Sequence, residues 1–248
     1  MHNPLQVLKH YWGYDGFRPG QAEVIDSILS GHDTLALMPT GGGKSITFQV
    51  PALANPGICL VVSPLVALMK DQVKNLQKRG ILSAFISSEM PHWEILQQLD
   101  NCILGDYKFL YISPERISSE LFQEKLKTLS RKVNLLVVDE AHCISQWGQD
   151  FRPSYLKIID FVEQLPGNPI ISAFTATATE VVKNDIARIL KLKNPNIVVT
   201  GFDRENLLSS GTSHWKAEGH LYPKLHRNPP KRKWNHLLCH QKKRGYFV

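Results

Sequence analysis

Two stretches of the chain carry residue types spaced for phosphate chemistry. The first is Met38-Pro39-Thr40-Gly41-Gly42-Gly43-Lys44-Ser45. Three consecutive glycines let a backbone curl until successive N–H groups converge on a phosphate. Lys44 is then placed to reach the outer phosphates of a nucleotide and Ser45 to hold Mg2+, with a helix N-terminus adding its dipole. Met38 stands where the general pattern has glycine, so the match to that pattern is incomplete. The second stretch is Leu135-Leu136-Val137-Val138-Asp139-Glu140-Ala141-His142. An apolar strand ending in an acid carries a carboxylate to the edge of a sheet, where it can hold a metal ion. Asp139 is assigned to the metal through water, and Glu140 to polarising an attacking water. A chance glycine turn or a helix-capping acid would explain either stretch alone. Together they imply an Mg-ATP site.

Both stretches need a strand before them and a helix behind the glycines, and the surrounding sequence supplies that rhythm. Apolar runs at 34–38, 58–62, 83–86, 109–112, 133–138, 170–174 and 197–199 read as strands. Most are continuous rather than alternating, as in strands covered on both faces. Helix-like segments separate them, which predicts βαβ units. In 63–80, Leu65, Leu68, Met69, Val73 and Leu76 fall on one helical face, with Ser63 as cap, Pro64 in the first turn and Gly80 just past the end. The expected fold is α/β: a doubly wound, mainly parallel sheet of about seven strands with helices on both faces. Ligands should bind at the carboxyl ends of its strands. The β1–helix loop and the Asp139 strand are expected to be neighbours.

At 248 residues, with 43% hydrophobic and 21% charged residues, the chain can bury a large core without metal or disulfide staples. No apolar run approaches the roughly 20 residues needed to cross a bilayer, and the N-terminus has no secretory pattern. Cys59, Cys102, Cys143 and Cys239 are widely spaced and read as free thiols in a reducing compartment. The expected location is the cytoplasm, nucleoid-associated in a bacterium, with no membrane partner. The net charge of +7 is unevenly distributed. From Leu207 onward nine Lys/Arg face one acid, Glu218, so residues 1–206 are close to neutral. The basic tail, 208–248, shows neither strand nor amphipathic helix and reads as a disordered segment. Its Cys239, His236 and His240 lack regular metal-ligand spacing, and make only a weak zinc candidate.

With these residues in place, the chain resembles the first RecA-like lobe of a superfamily 2 helicase, and specifically a RecQ-type DNA helicase. The resemblance covers Leu5 to about Leu207, and the phosphate loop of that superfamily commonly lacks the first glycine. Phe17-Arg18-Pro19-Gly20-Gln21 is similar to the family's opening motif, which implies that Phe17, Arg18 and Gln21 bind the nucleotide, the glutamine at the adenine edge. Ser63-Pro64-Leu65 through Asp71-Gln72, and Tyr111-Ile112-Ser113-Pro114-Glu115-Arg116, resemble strand-contacting motifs. Asp139–His142 matches the DEAH box, and Thr175-Ala176-Thr177-Ala178-Thr179 the motif coupling hydrolysis to strand movement, with His142, Thr175 and Thr177 as coupling residues. Phe202-Asp203-Arg204-Glu205-Asn206-Leu207 resembles the exit from the lobe. Cys143 through Pro153 corresponds to an aromatic-rich loop that senses single-stranded DNA. That correspondence makes Trp147 and Phe151 stacking platforms and Arg152 a phosphate partner.

The two Ser-Pro pairs also have an independent physical reading. Each sets Ser at a probable cap and Pro in the first helical turn, and a helix N-terminus suits a backbone phosphate. The resemblance implies 3′-to-5′ unwinding of single-stranded or forked DNA with ATP and Mg2+. It also implies a second RecA-like lobe whose arginine fingers complete the site. The tail does not continue that pattern, so the expectation is one lobe with an aberrantly ended or frameshifted tail, weakly active or inactive alone. An RNA helicase lobe of the DEAD/DEAH type and a non-catalytic nucleic-acid-binding fragment stand as alternatives.

Overall fold

The computed structural model describes residues 3–128, 133–148, 150–164 and 168–200. The 208–248 tail, with Cys239 and its neighbouring histidines, and the 202–207 motif lie outside the described residues. Seven strands, β1 (Thr34–Leu37), β2 (Ile58–Val62), β3 (Ser83–Ile86), β4 (Phe109–Ile112), β5 (Val133–Val138), β6 (Ile170–Thr175) and β7 (Asn196–Val199), form one sheet. Every pairing is parallel, in the order β3-β4-β2-β5-β6-β1-β7. Helices α1 (Pro4–Trp12), α2 (Gln21–Leu29), α3 (Lys44–Ala54), α4 (Val66–Gln77), α5 (His92–Leu104), α6 (Glu120–Lys127), α7 (Ile158–Val162) and α8 (Glu180–Ile189) cover it.

Side-chain alternation divides the core between the two faces. Leu35, Leu37, Leu60, Val62, Leu136 and Val138 point to one side and pack with Ile95 and Leu99 of α5, Ile158 and Phe161 of α7 and Ile186 of α8. Ala36, Cys59, Val61, Leu135 and Val137 point to the other and pack with Val24 of α2, Phe48 of α3 and Met69 and Val73 of α4. Each fully buried Val or Leu contributes roughly 1.5–3 kcal/mol, and the central strands have no solvated face. That explains why they are continuous apolar runs rather than alternating ones. Cys59, Cys102 and Cys143 are buried free thiols, and burial pushes those of Cys102 and Cys143 up to about 12. Their resistance to ionisation makes them inert core residues. Among the described residues no helix is long and apolar enough to cross a membrane.

Three expectations need correction. β1 and β5 are not neighbours, because β6 runs between them. The helix expected over 63–80 begins at Val66, with Leu65 in extended conformation at its cap, so Ser63 caps nothing. Finally, Met69, Val73 and Leu76 of α4 are buried as expected, but Leu65 and Leu68 are exposed at 48% and 37%. They sit at the carboxyl edge of the sheet, where the core has ended.

Asp33 secures the opposite edge. Its carboxylate accepts the N–H of Ile171 at 2.9 Å and of Lys193 at 2.7 Å, and its carbonyl accepts the N–H of Asn196 at 2.9 Å. One residue thus sets the starts of β1, β6 and β7 relative to each other. Hydrogen bonds to a charged acceptor contribute about 1.5–3 kcal/mol each. Asp33→Ala is therefore expected to lower stability by about 2–4 kcal/mol in a urea titration, and an unchanged midpoint would show that the two bonds contribute nothing net.

Candidate active site

The phosphate loop leaves β1 and enters α3 with Gly41 and Gly43 in the left-handed region, at φ 83° and 79°. A Cβ on Gly43 would lie 2.3 Å from Gln21 Nε2, so the loop requires glycine there for space as well as for conformation. Gly42 N–H closes a tight turn on the Pro39 carbonyl at 3.0 Å. Gly43 occupies the cap position of α3, and no side chain caps the helix. Among the described residues, the N–H groups of Gly41, Gly43, Lys44 and Ser45 have no protein acceptor. A ring of unmatched donors at a helix N-terminus beside an ammonium group fits the polyphosphate of a nucleotide.

Across the loop lies the end of β5. The cleft between them, ≈ 290 Å³, is lined by Thr40, Gly41, Lys44, Ser45, Asp139 and Glu140 among others. Asp139 accepts hydrogen bonds from Ser63 Oγ at 3.3 Å and from Glu140 N–H at 3.0 Å. Tyr155, fully buried, donates its hydroxyl to the Asp139 carbonyl at 3.0 Å and so holds the strand end in place. Burial pushes the Asp139 carboxyl above the usual carboxylate range; the Lys44 ammonium pulls it back and the Glu140 carboxylate pushes it further up. A buried carboxylate beside a serine hydroxyl is a hard oxygen donor set suited to Mg2+, and the cation would relieve the penalty.

Glu140 itself has φ 48°, a conformation few non-glycine residues adopt. The turn aims its carboxylate back at the loop, where Oε1 lies 3.4 Å from Lys44 Nζ and Oε2 3.4 Å from His142 Nδ1. His142 Nδ1 also lies 3.1 Å from Thr175 Oγ1, whose hydroxyl donates to the Thr177 carbonyl at 2.9 Å. Thr175 uses its proton on that carbonyl, so its Oγ1 is an acceptor for the His142 ring when Nδ1 carries a proton. A polar path thus runs from the phosphate loop through Glu140 and His142 to the end of β6.

The opening motif grips the loop from behind. Gln21, buried at 3% exposure, accepts the Arg18 N–H at 2.8 Å and donates to the Gly42 and Gly43 carbonyls, each at 3.2 Å. Arg18 Nη1 reaches the Gly41 carbonyl at 3.2 Å, and Phe17 packs against the cluster containing Val7, Leu8 and Ile25. In this structure the Gln21 amide faces the loop backbone. Both of its N–H groups are committed to the loop, while Oε1 keeps a second lone pair beside the Arg18 bond.

The two Ser-Pro pairs stand at the ends of β2 and β4, on the same edge of the sheet, but neither serine caps a helix. Ser63 is committed to Asp139. Ser113 precedes only a five-residue 3-10 turn, Pro114–Ser118, and its buried hydroxyl has no partner among the described residues. Ser113 and Pro114 do hold the cap and first-turn positions of that 3-10 turn, though without a side-chain cap bond, whereas α4 starts only after Leu65. Arg116 donates to the carbonyls of Ser87, Ser88 and Met90 at 3.0, 3.0 and 3.3 Å, tying the ends of β3 and β4 together, while Glu115 is exposed. In the aromatic loop, Trp147 is 77% exposed and Phe151 half-buried. Arg152 is paired with Asp150 at 2.9 Å and donates to the Pro64 carbonyl at 3.3 Å, so it anchors the loop to the exit of β2. A Cβ on Gly148 would lie 2.1 Å from the His142 carbonyl, which explains the glycine beside Trp147. His142, Trp147, Gly148 and Thr177 share the walls of a cavity of ≈ 320 Å³. Tyr155 had no signal in the sequence beyond being a lone aromatic near the loop.

Comparison with known proteins agrees with this geometry. Residues 18–185 match the model of the DEAD/DEAH box helicase family. The chain is 47% identical over 208 residues to the ATP-dependent DNA helicase RecQ of Bacillus subtilis, covering 84% of this chain and 35% of that protein. It is 45% identical over 203 residues to the RecQ of Haemophilus influenzae, covering 82% and 32%. The chain thus spans about a third of the length of the curated relatives it matches. Among solved structures, the helicase MrfA bound to DNA superposes with TM-score 0.65 at 16% identity, over 81% of this chain and 28% of that one. The Pyrococcus furiosus Hef helicase domain gives 0.56 at 18%, over 73% and 38%. At these identities the superpositions establish the fold.

The raised Asp139 pKa has a consequence for stability. The folded chain holds the Asp139 proton more tightly than the unfolded one. Stability is therefore lost as pH rises from about 4 through the raised value. Asp139→Asn is expected to raise the melting temperature of the nucleotide-free chain at pH 7, by about 2–4 °C for each kcal/mol relieved. The gain should shrink toward pH 4, where both side chains are neutral. A melting temperature unchanged or lowered at pH 7 would contradict the burial penalty.

Proposed function

The chain belongs to the DEAD/DEAH box helicase family, and we propose that it is the nucleotide-binding lobe of a RecQ-type DNA helicase acting with ATP and Mg2+ on single-stranded or forked DNA. The observation that carries this reading is the continuous contact path from Lys44 through Glu140 and His142 to Thr175, ending at the cavity that Trp147 walls. A strand-sensing aromatic side chain and a phosphate loop are thereby connected through one histidine.

When bound, Mg-ATP supplies a phosphoryl group for in-line transfer to water, with the metal offsetting charge on the phosphate oxygens. Lys44 and the unmatched N–H groups of Gly41, Gly43 and Ser45 hold the phosphates, and Ser45 and Asp139 take the metal. The Glu140 carboxylate orients a water and accepts its proton. His142, with its proton on Nδ1, holds that carboxylate in place. Trp147 offers a flat face to a base, a contact worth about 1–3 kcal/mol irrespective of sequence. Ser63, Pro64, Ser113, Pro114, Glu115, Arg116, Phe151 and Arg152 border the same edge, and in this reading they shape the track while Trp147 provides the stacking contact. We place the protein in the cytoplasm, on DNA during repair and recombination, where its buried thiols stay reduced.

Among the described residues no arginine lines the phosphate cleft. A finger that stabilises phosphoryl transfer is worth about 10³–10⁵ in rate, so the chain alone is expected to bind Mg-ATP yet hydrolyse it at least about a thousandfold more slowly than a complete two-lobed helicase. Phosphate release measured with and without single-stranded DNA tests this, and turnover at the rate of a complete helicase would overturn it. Lys44→Ala should abolish nucleotide binding. Trp147→Ala should weaken binding of a fluorescent single-stranded DNA by about 1–3 kcal/mol and leave nucleotide affinity unchanged. Preference for RNA over DNA in the same titration would redirect the reading to an RNA helicase.

A further inference from the structure

Behind the phosphate loop lies a row of side-chain amides, one buried and one half-buried, that the reading above does not use. Gln49 sits in α3, 3% exposed, among Phe48, Val50 and Ala52, where an apolar residue would be the ordinary choice. Its Nε2 donates to the Tyr111 hydroxyl at 3.1 Å and to Gln72 Oε1 at 3.0 Å. Gln72, on α4, in turn donates its Nε2 to Ser45 Oγ at 3.0 Å. Tyr111 is also buried, at 2%, and closes the far end of the row on β4. Ser45 and Gln72 line both the phosphate cleft and a smaller cavity of ≈ 200 Å³ bordered by Trp12, Asn75 and Arg79.

A serine hydroxyl has two lone pairs and one proton. A free Ser45 side chain would rotate among its staggered positions, only some of which face the metal position. The Gln72 amide occupies one lone pair and leaves the other, with the proton, for the cleft. In this arrangement the Gln49 N–H takes the Gln72 oxygen, which leaves the Gln72 N–H for Ser45. We propose that Gln72, oriented by Gln49 and Tyr111, is a positioning residue that presets the Ser45 hydroxyl for Mg2+. The relay reaches Ser45 from Gln72 on α4, with Gln49 on α3 and Tyr111 on β4 behind it. Outer partners of this kind typically change metal affinity by 10–100-fold when removed. This inference rests on the reading of Ser45 as a metal-holding residue.

The test separates metal affinity from nucleotide affinity in the full chain. Binding of a fluorescent ATP analogue is titrated with Mg2+, and separately measured in EDTA. Gln72→Leu keeps the volume and removes both hydrogen bonds. It is expected to raise the Mg2+ concentration at half-effect on the order of tenfold, with affinity in EDTA unchanged. Gln49→Leu, one step back, should shift the same quantity in the same direction by less, and serves if Gln72→Leu does not fold. Ser45→Ala is the reference, with the largest shift. A shift in Ser45→Ala with none in Gln72→Leu or Gln49→Leu would overturn the relay and leave the metal role of Ser45 intact. No shift in Ser45→Ala would overturn that role, and the relay with it. Equal losses with Mg2+ and in EDTA would show that the amides merely support the loop.

Discussion

The structure depends on two adjacent carboxylates held at the end of a buried strand within reach of one ammonium group. Asp139 and Glu140 repel each other, and Asp139 lies where water solvates it poorly. Such a pair persists in a folded chain only if a cation or strong donors face it. Lys44 supplies the charge, at 3.4 Å from Glu140, and Ser63 and the Glu140 N–H supply the donors for Asp139. This requirement fixes the separation of the phosphate loop and the end of β5, even though β6 runs between their strands. The left-handed turn at Glu140 follows from it: extended backbone would direct successive side chains to opposite faces, and both carboxylates must face one cleft.

The same constraint reaches the loop that carries Trp147. The turn at Glu140 leads directly into Ala141–Ile144, so His142 faces Thr175 at the end of β6, the strand that separates the two halves of the site. Gly148 lies so close to the His142 carbonyl that the aromatic loop cannot shift without moving the histidine or opening that contact. Arg152 ties the loop's other end to Pro64 at the exit of β2, whose Ser63 holds Asp139. The loop carrying Trp147 is therefore fastened at both ends to residues that hold the two carboxylates. A network of this kind has few independent adjustments, and displacement at either end is felt at Glu140 or Asp139.

Much of this was legible in the sequence because burial on both faces forces strands into continuous apolar runs. All seven appear within a residue of their expected limits, and the phosphate loop and the acidic strand end follow from their residue types. Strand order was not legible: it is set by where crossovers place β6 relative to β1 and β5, and no residue pattern marks that. The capping role of Ser63 was misread because a Ser-Pro after a strand has the same appearance whether its hydroxyl caps a helix or meets a carboxylate 76 residues later. The 3.6-residue period in 63–80 correctly grouped Met69, Val73 and Leu76 on the buried face of α4. It could not show that the core ends before Leu65 and Leu68 are reached.

Two linked glutamines show the remaining difference between local pattern and tertiary structure. Gln49 and Gln72 lie on separate helices, and nothing in either helix reveals the other. An amide in an otherwise apolar stretch of α3 signals that a partner must exist, since an unmatched buried amide costs about 1–3 kcal/mol. The sequence marks the need for a partner without naming it. The sheet names it: β2 and β4 are adjacent, so α4, which follows β2, lies where its Gln72 can reach both Gln49 and Ser45, and Tyr111 on β4 takes the other bond. The polar atoms in this part of the core are thus matched with one another and end at a single hydroxyl. Replacing both partners of a hydrogen bond with apolar groups of the same shape can be nearly neutral for stability, so two linked amides beside a candidate metal ligand are better explained by the direction they impose on that hydroxyl than by the stability they add.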